Sequence, residues 1–297
     1  MKVSDYMDQL QVMAKNLEGR DFGFRPDNVY QKGNGENREI IGRLLDSLML
    51  PGSGLENKEA LKALYEKSRE GKACMLLVEH YSNFDYPCLF RLMEKDAELG
   101  PEVASTLLPI QGMKLSEGNP VTAAFSNSYD TIVIYPSRSI DKVEDEDEKR
   151  KIREISVPIN IAAIKELTHK KHSGHIITVF PAGTRYRPWD PGSRKGVREI
   201  YSYLKTFDYL CFVSINGNTL LPSREEAMEK DEPTRDIMTF TFSEPVSAKA
   251  FRKEAAAEVP EGEDPKQHVV DKVMDTLFAM HEENEPARLE KRKALDA

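Results

Sequence analysis

The sequence predicts an α/β protein: a mostly parallel mixed sheet flanked by helices, preceded by a small N-terminal helical subdomain. Three observations predict it. Beyond residue 72, short continuous apolar runs alternate with stretches of helical periodicity, the pattern of strands covered on both faces. Before that point apolar residues recur only at helical spacing. Near the end, IMTFTFSEPV (237–246) alternates strictly, as an edge or half-exposed strand does. The expected division is a helical subdomain over 1–71 and an α/β domain over 72–297.

Taken in order, Tyr6, Leu10, Met13 and Leu17 share one helical face, as do Ile40, Ile41, Leu44, Leu45 and Leu48. A third helix runs from Asn57, a good capping residue, to Arg69, with Gly71 as its stop. Turn-rich stretches, Arg20 to Asn37 and Pro51 to Glu56, lie between these helices. Strands are expected at CMLLVEH (74–80), TIVIYPS (131–137), HIITVFPAG (175–183) and YLCFVSIN (209–216). Helical periodicity fills Asn83–Leu99, Pro120–Tyr129, Glu144–His169 and Val197–Phe207. A last helix, Pro265 to Asn284, turns Val269, Val270, Val273, Leu277 and Met280 inward.

Composition bounds the function. With 297 residues, 39% hydrophobic and 31% charged, the chain can bury a real core. Its longest apolar runs fall far short of the roughly 20 residues a membrane-spanning helix needs. The charged N-terminus lacks a signal-peptide core, so a cytoplasmic protein is expected, with peripheral contact at a membrane surface left open. A net charge of −8 argues against a nucleic-acid partner. The acidic run Glu144 to Glu148 reads as a solvated helix start. Cys74, Cys88 and Cys211 sit in apolar surroundings and read as packed, reduced thiols. A Cys88–His80 nucleophile pair is disfavoured, because Cys88 lies within an apolar helical run. No Cys or His spacing suggests a metal site.

In a parallel sheet, ligands gather where strand ends lead into helices. Four loops qualify: His80–Asp85, Pro136–Ser139, Pro181–Pro188 and Asn216–Leu221. His80 ends a strand, and Asp85 opens the next helix, with Pro87 suited to its first turn. An Asp folded back beneath the imidazole would fix one ring nitrogen and free the other as a base. Taken alone, the pair also reads as a helix cap beside a packed histidine. No serine elbow accompanies it, so the substrate would supply the nucleophile, for example a hydroxyl. In FPAGTRYRP (180–188), Arg185 and Arg187 stand two apart, so an extended backbone would aim both at one anion. Alone, they also read as solvated arginines. Arg138 should lie in the adjacent loop, and no P-loop or Gly-x-Gly-x-x-Gly is present.

Together, His80-Tyr-Ser-Asn-Phe-Asp85 and Phe180-Pro-Ala-Gly-Thr-Arg185 resemble the two blocks of the His-x4-Asp glycerolipid acyltransferases, over roughly residues 73–220. The long spacing, the N-terminal helices and Gly183-Thr-Arg185-Tyr-Arg187-Pro188 are most similar to the soluble, plastid-type glycerol-3-phosphate acyltransferases. The resemblance implies acyl transfer from an acyl-carrier-protein or coenzyme A thioester to the sn-1 hydroxyl of glycerol 3-phosphate, without a cofactor. It implies His80 as base and Asp85 as its orienter. It also implies a phosphate site of Arg138, Arg185 and Arg187 with Gly183, Thr184 and Ser139, the last replacing a histidine of that group. Ala182 stands where membrane-bound relatives carry Glu. Backbone N–H groups after His80 are candidates for stabilising the oxyanion. Arg150–Lys151–Arg153 and Arg194–Lys195 are candidate docking sites for an acidic carrier. Lysophosphatidate is the alternative acceptor, and a non-catalytic phosphometabolite-binding α/β protein the more distant alternative.

Overall fold

The computed structural model describes residues 7–18, 23–113, 123, 125–136, 140, 143–225 and 230–296. Its first half runs α1 (Met7–Lys15), β1 (Tyr30–Gln31), α2 (Gly35–Leu48), β2 (Gly54–Glu56), α3 (Lys58–Arg69), β3 (Cys74–Val78), α4 (Asp85–Lys95), α5 (Gly100–Ala104) and β4 (Leu107–Gly112). There follow β5 (Thr131–Ile134), α6 (Glu146–Lys171), β6 (Ile176–Val179), α7 (Ile200–Leu204) and β7 (Tyr209–Asn216). The chain closes with β8 (Leu220–Leu221), β9 (Glu232–Pro233), β10 (Thr239–Phe242), β11 (Val246–Ser247), α8 (Ala248–Ala257) and α9 (Pro265–Asp296). This is the expected α/β class, a mostly parallel mixed sheet with flanking helices.

The chain groups into two compact units. One comprises Gly42–Leu107 and the residues from Lys171 onward; the other comprises 7–41 and Leu108–Lys170. This division differs from a boundary at residue 71. Residues 1–71 also contain β1 and β2, whose partners β5 and β10 lie far along the sequence. Two- and three-residue strands carry no periodicity, so nothing local announces them.

In the first unit the strand order is β6-β3-β7-β10-β2, with β11 also beside β7. β6, β3 and β7 run parallel, so their carboxyl ends share one edge. β10 is antiparallel to β7 and parallel to β2. The alternating run at 237–246 is therefore an interior strand rather than an edge. Its neighbour β2 covers what the alternation suggested was open, and Phe240 and Phe242 are buried. All five residues of β3 are buried, which explains an apolar run without alternation. α9 packs on β7, and its Val269, Val270, Val273 and Leu277 are fully buried, each burial worth about 1.5–3 kcal/mol. Met280 is half-buried. In the second unit the order is β1-β5-β4, with β4 parallel and β1 antiparallel to β5. There Asn160 of α6 accepts from the Tyr135 N–H at 2.8 Å and donates to its carbonyl at 3.0 Å, fixing the end of β5.

Some local expectations change. Asn57 does not cap α3 with its side chain. It adopts a left-handed conformation and sends Nδ2 to the Phe242 carbonyl at 3.0 Å, tying α3 to the end of β10. The acidic run starts α6 as expected, Asp145 accepting from the Glu148 N–H at 2.7 Å. The periodicity did not announce β4, α5 and α8. Tyr6, Arg138, Ser139 and much of the expected Pro120–Tyr129 helix lie outside the described residues. Among the described residues, no helix is long and apolar enough to cross a membrane.

Gly217, which follows β7, has φ of +96°, and an added Cβ would fall 2.0 Å from the Ile237 carbonyl oxygen. Backbone strain and collision combine there. Gly217→Ala should therefore lose about 2 kcal/mol or more of stability, read as a drop in the urea midpoint. Gly54→Ala, whose methyl meets nothing within 4 Å, should change stability by less than about 0.5 kcal/mol.

Candidate active site

β3 delivers His80 to the shared carboxyl edge, and α4 begins five residues later at Asp85. The Asp85 carboxylate is fully buried. Its Oδ2 meets His80 Nδ1 at 2.9 Å and accepts the Tyr81 and Ser82 N–H groups at 2.6 and 2.9 Å. Its Oδ1 accepts the Ser82 hydroxyl at 2.9 Å. The pair that sequence could read as a cap is thus a connected dyad. Asp85 gathers its own loop around the histidine, at the helix end where a carboxylate is favoured. A neutral imidazole that donates from Nδ1 to this carboxylate keeps its lone pair on Nε2, the arrangement a general base requires.

The second motif lies directly beside it. β6 pairs with β3 in register, and Phe180 at its end stacks on the His80 ring with centroids 4.3 Å apart. The Tyr186 N–H donates to the His80 carbonyl at 2.7 Å, joining the two loops through the backbone. Gly183 makes the turn between them with φ of +63°, and a Cβ there would press on Val197 at 3.1 Å. Thr184 is half-buried and Ala182 buried.

The two arginines have different fates. Arg185 forms an ion pair with the fully buried Asp231, whose other oxygen accepts the Ser223 N–H at 2.9 Å. Arg187 is held by its backbone, its N–H donating to Ser193 Oγ at 2.8 Å. Its half-buried guanidinium has no hydrogen-bonding or ionic partner among the described residues. Alternation alone would send both to one anion, but Asp231 claims Arg185. Arg194 stacks between Tyr186 at 4.3 Å and Phe278 at 4.6 Å rather than standing free. The expected phosphate ligands Arg138 and Ser139 lie outside the described residues.

The expected oxyanion donors are narrowed, and the expected burial of the cysteines is borne out. The Tyr81 and Ser82 N–H groups are used by Asp85, and that of Phe84 by Ser82 Oγ at 3.1 Å. These three cannot also hold an oxyanion. Cys88 is fully buried and its thiol is pushed up to about 12 by burial, so it supplies no thiolate beside His80. Cys74 and Cys211 are likewise free and buried.

A second polar cluster went unseen in the sequence. Buried Glu79 accepts the Tyr81 hydroxyl at 2.8 Å, the Ile215 N–H at 2.8 Å and His281 Nδ1 at 3.1 Å. His281 lies on α9, and its carbonyl accepts from Asn216 at 3.0 Å. The cluster ties the C-terminal helix to the ends of β3 and β7, one residue from the dyad. The only local signal was a charged residue closing an apolar strand, Leu77-Val78-Glu79. Asp231 gave none.

Comparison of the chain with models of known protein families found no match, and comparison with curated proteins found none.

Burial by itself would lower the pKa of His281, but its hydrogen bond and charge attraction to Glu79 outweigh that, and the net shift is upward. A raised folded value stabilises the fold fully below the ordinary histidine value near 6.5 and loses that contribution as pH climbs through the folded value. Wild type should therefore exceed His281→Gln in thermal stability by more at about pH 5.5 than at about pH 8.5. An equal gap at both pH values would mean that Glu79 does not favour the charged imidazole.

Proposed function

We propose that the protein is an acyltransferase that moves a fatty acyl group from an acyl thioester to the sn-1 hydroxyl of glycerol 3-phosphate. The observation that carries this reading is the His80–Asp85 dyad, linked through Nδ1, on a loop joined by a backbone hydrogen bond to the loop of Arg187, whose guanidinium has no hydrogen-bonding or ionic partner among the described residues. No thiol of reactive pKa among the described residues competes as nucleophile. In the proposed reaction His80 Nε2 takes the proton of the glycerol hydroxyl as its oxygen attacks the thioester carbonyl. The C–S bond then breaks, and the imidazolium returns the proton to the departing sulfur. No acyl-enzyme forms. The donor is acyl-carrier protein or coenzyme A, and no cofactor is required.

The phosphate would meet Arg187 first, because Arg185 already faces Asp231. The buried pair would instead hold the 180–187 loop against the dyad. Positioning of this kind can exceed the contribution of the base, which is typically about 10²–10⁴-fold. Lysophosphatidate offers the same chemistry, with an acyl chain already at sn-1 and the free hydroxyl at sn-2.

The test is transfer from a labelled acyl thioester to glycerol 3-phosphate and, separately, to lysophosphatidate. His80→Ala should lower transfer by about 10²-fold or more with the fold intact. Arg187→Ala should raise KM for the phosphorylated acceptor about tenfold or more, with a smaller effect on kcat. Transfer to lysophosphatidate alone would move the assignment to the second acylation step. If neither acceptor reacts, or His80→Ala matches wild type, the acyltransferase reading falls.

A further inference from the structure

α6 is apolar on two sides. On its inner face Ile159, Ala163 and Leu167 are buried. Its outer face presents Val157, Ile161 and Ile164, exposed by 52%, 64% and 60%. These three stand at i, i+4 and i+7 and form one stripe. No charged residue interrupts 155–164. Ile155, although exposed, lies on a different side of the helix and is not part of the stripe. Branched aliphatics are mediocre helix formers, so at exposed positions they add nothing to the isolated helix.

The charges that bound the stripe identify what covers it. Glu154 precedes it by about one turn and Lys165 follows it directly. Both are exposed, and neither has an ionic partner among the described residues. By helical periodicity both fall on the same edge of the stripe. Glu154 and Lys165 are nearly symmetric about residue 160, as are Val157 and Ile164. The pattern is self-complementary. Turned antiparallel, a second α6 would set its Lys165 beside Glu154, its Ile164 beside Val157 and its Ile161 beside Ile161. A parallel partner would put this edge of the two copies on opposite flanks of the seam, so Glu154 and Lys165 would not meet across it. An anionic lipid surface fits less well, because the start of α6 carries Glu146, Asp147, Glu148 and Glu154 against four basic residues, and Lys149 and Arg150 are already paired with Glu146 and Asp147.

We propose that the outer face of α6 is a self-association surface, on which two copies of the chain pair antiparallel about a two-fold axis near residue 160. The interface is isologous, each copy giving and receiving the same contacts. One helix pair covers less than the roughly 1,600 Å² of a standard interface, so the dimer should be reversible and concentration-dependent. This inference is independent of the proposed activity.

The experiment is sedimentation velocity of the full chain from low to high micromolar concentration. Wild type should shift from monomer to dimer. Ile161→Asp, an exposed position whose change leaves the fold intact by circular dichroism, should weaken dimerisation at least tenfold. Glu154→Lys and Lys165→Glu should each weaken it several-fold, and the double exchange should restore it. A wild type that stays monomeric overturns the proposal, whether or not it then co-sediments with vesicles containing phosphatidylglycerol. So does a dimer indifferent to Ile161→Asp, or one that the double exchange fails to restore.

Discussion

The candidate site depends on one carboxylate held out of water. A bare ion in the interior costs several kcal/mol, so it persists only where donors surround it. Asp85 meets that condition through the His80 ring, two backbone N–H groups and the Ser82 hydroxyl. Each charge-assisted bond is worth about 1.5–3 kcal/mol. The same four contacts fix the path of the chain from β3 into α4 and the orientation of the imidazole. Loop conformation and base geometry are therefore one property. A change at Asp85 would disturb both, whereas a change at His80 removes the ring and leaves Ser82 and the two N–H groups to hold the carboxylate.

The sheet decides which loops can cooperate. Leu77 pairs with Val179 in a parallel register, so β3 and β6 leave the sheet almost side by side. This is why Phe180 reaches the His80 ring and why the Tyr186 N–H reaches the His80 carbonyl. Strand β7, on the other side of β3, brings Ile215 and Asn216 to the same edge, where α9 adds His281. The dyad is thus braced from both neighbours of its strand. One brace is aromatic and backbone; the other is the buried Glu79 carboxylate, held by the Ile215 N–H and His281.

Much of this was legible because strands buried on both faces are long and apolar enough to stand out. The runs at β3, β5, β6 and β7 marked four strands, and three of the four loops expected to bear function follow strands that are parallel and adjacent. The connection of His80 with Asp85 was legible because it spans only five residues. What stayed hidden depends on pairing across long separations. β2 meets β10 about 185 residues away, and this pairing turned an expected edge strand into an interior one. Glu79 finds His281 across 202 residues, and Arg185 finds Asp231 across 46. Neither a charge in a loop nor a histidine on a helix announces such a partner. Alternation correctly described Arg185 and Arg187 as a pattern, but it has no access to a carboxylate from another segment.

That last difference bears on how the positive charge near the dyad is understood. In a chain of net charge −8, an approaching anion is drawn only by cations that are not already neutralised. Arg185 faces a carboxylate with no exposure to solvent, so an anion reaching it would have to share it with Asp231. Breaking a buried pair from one side typically costs about 3–5 kcal/mol, because the abandoned charge stays buried. Replacing Arg185 would therefore strand Asp231 and loosen the loop that carries Phe180 and Tyr186, whatever the ligand. Loss of activity at Arg185 would report the loop before it reported contact with substrate. Arg187 carries no such partner among the described residues, and its backbone is fixed independently through Ser193. It is the position at which binding of an anion can be separated from the folding of the site.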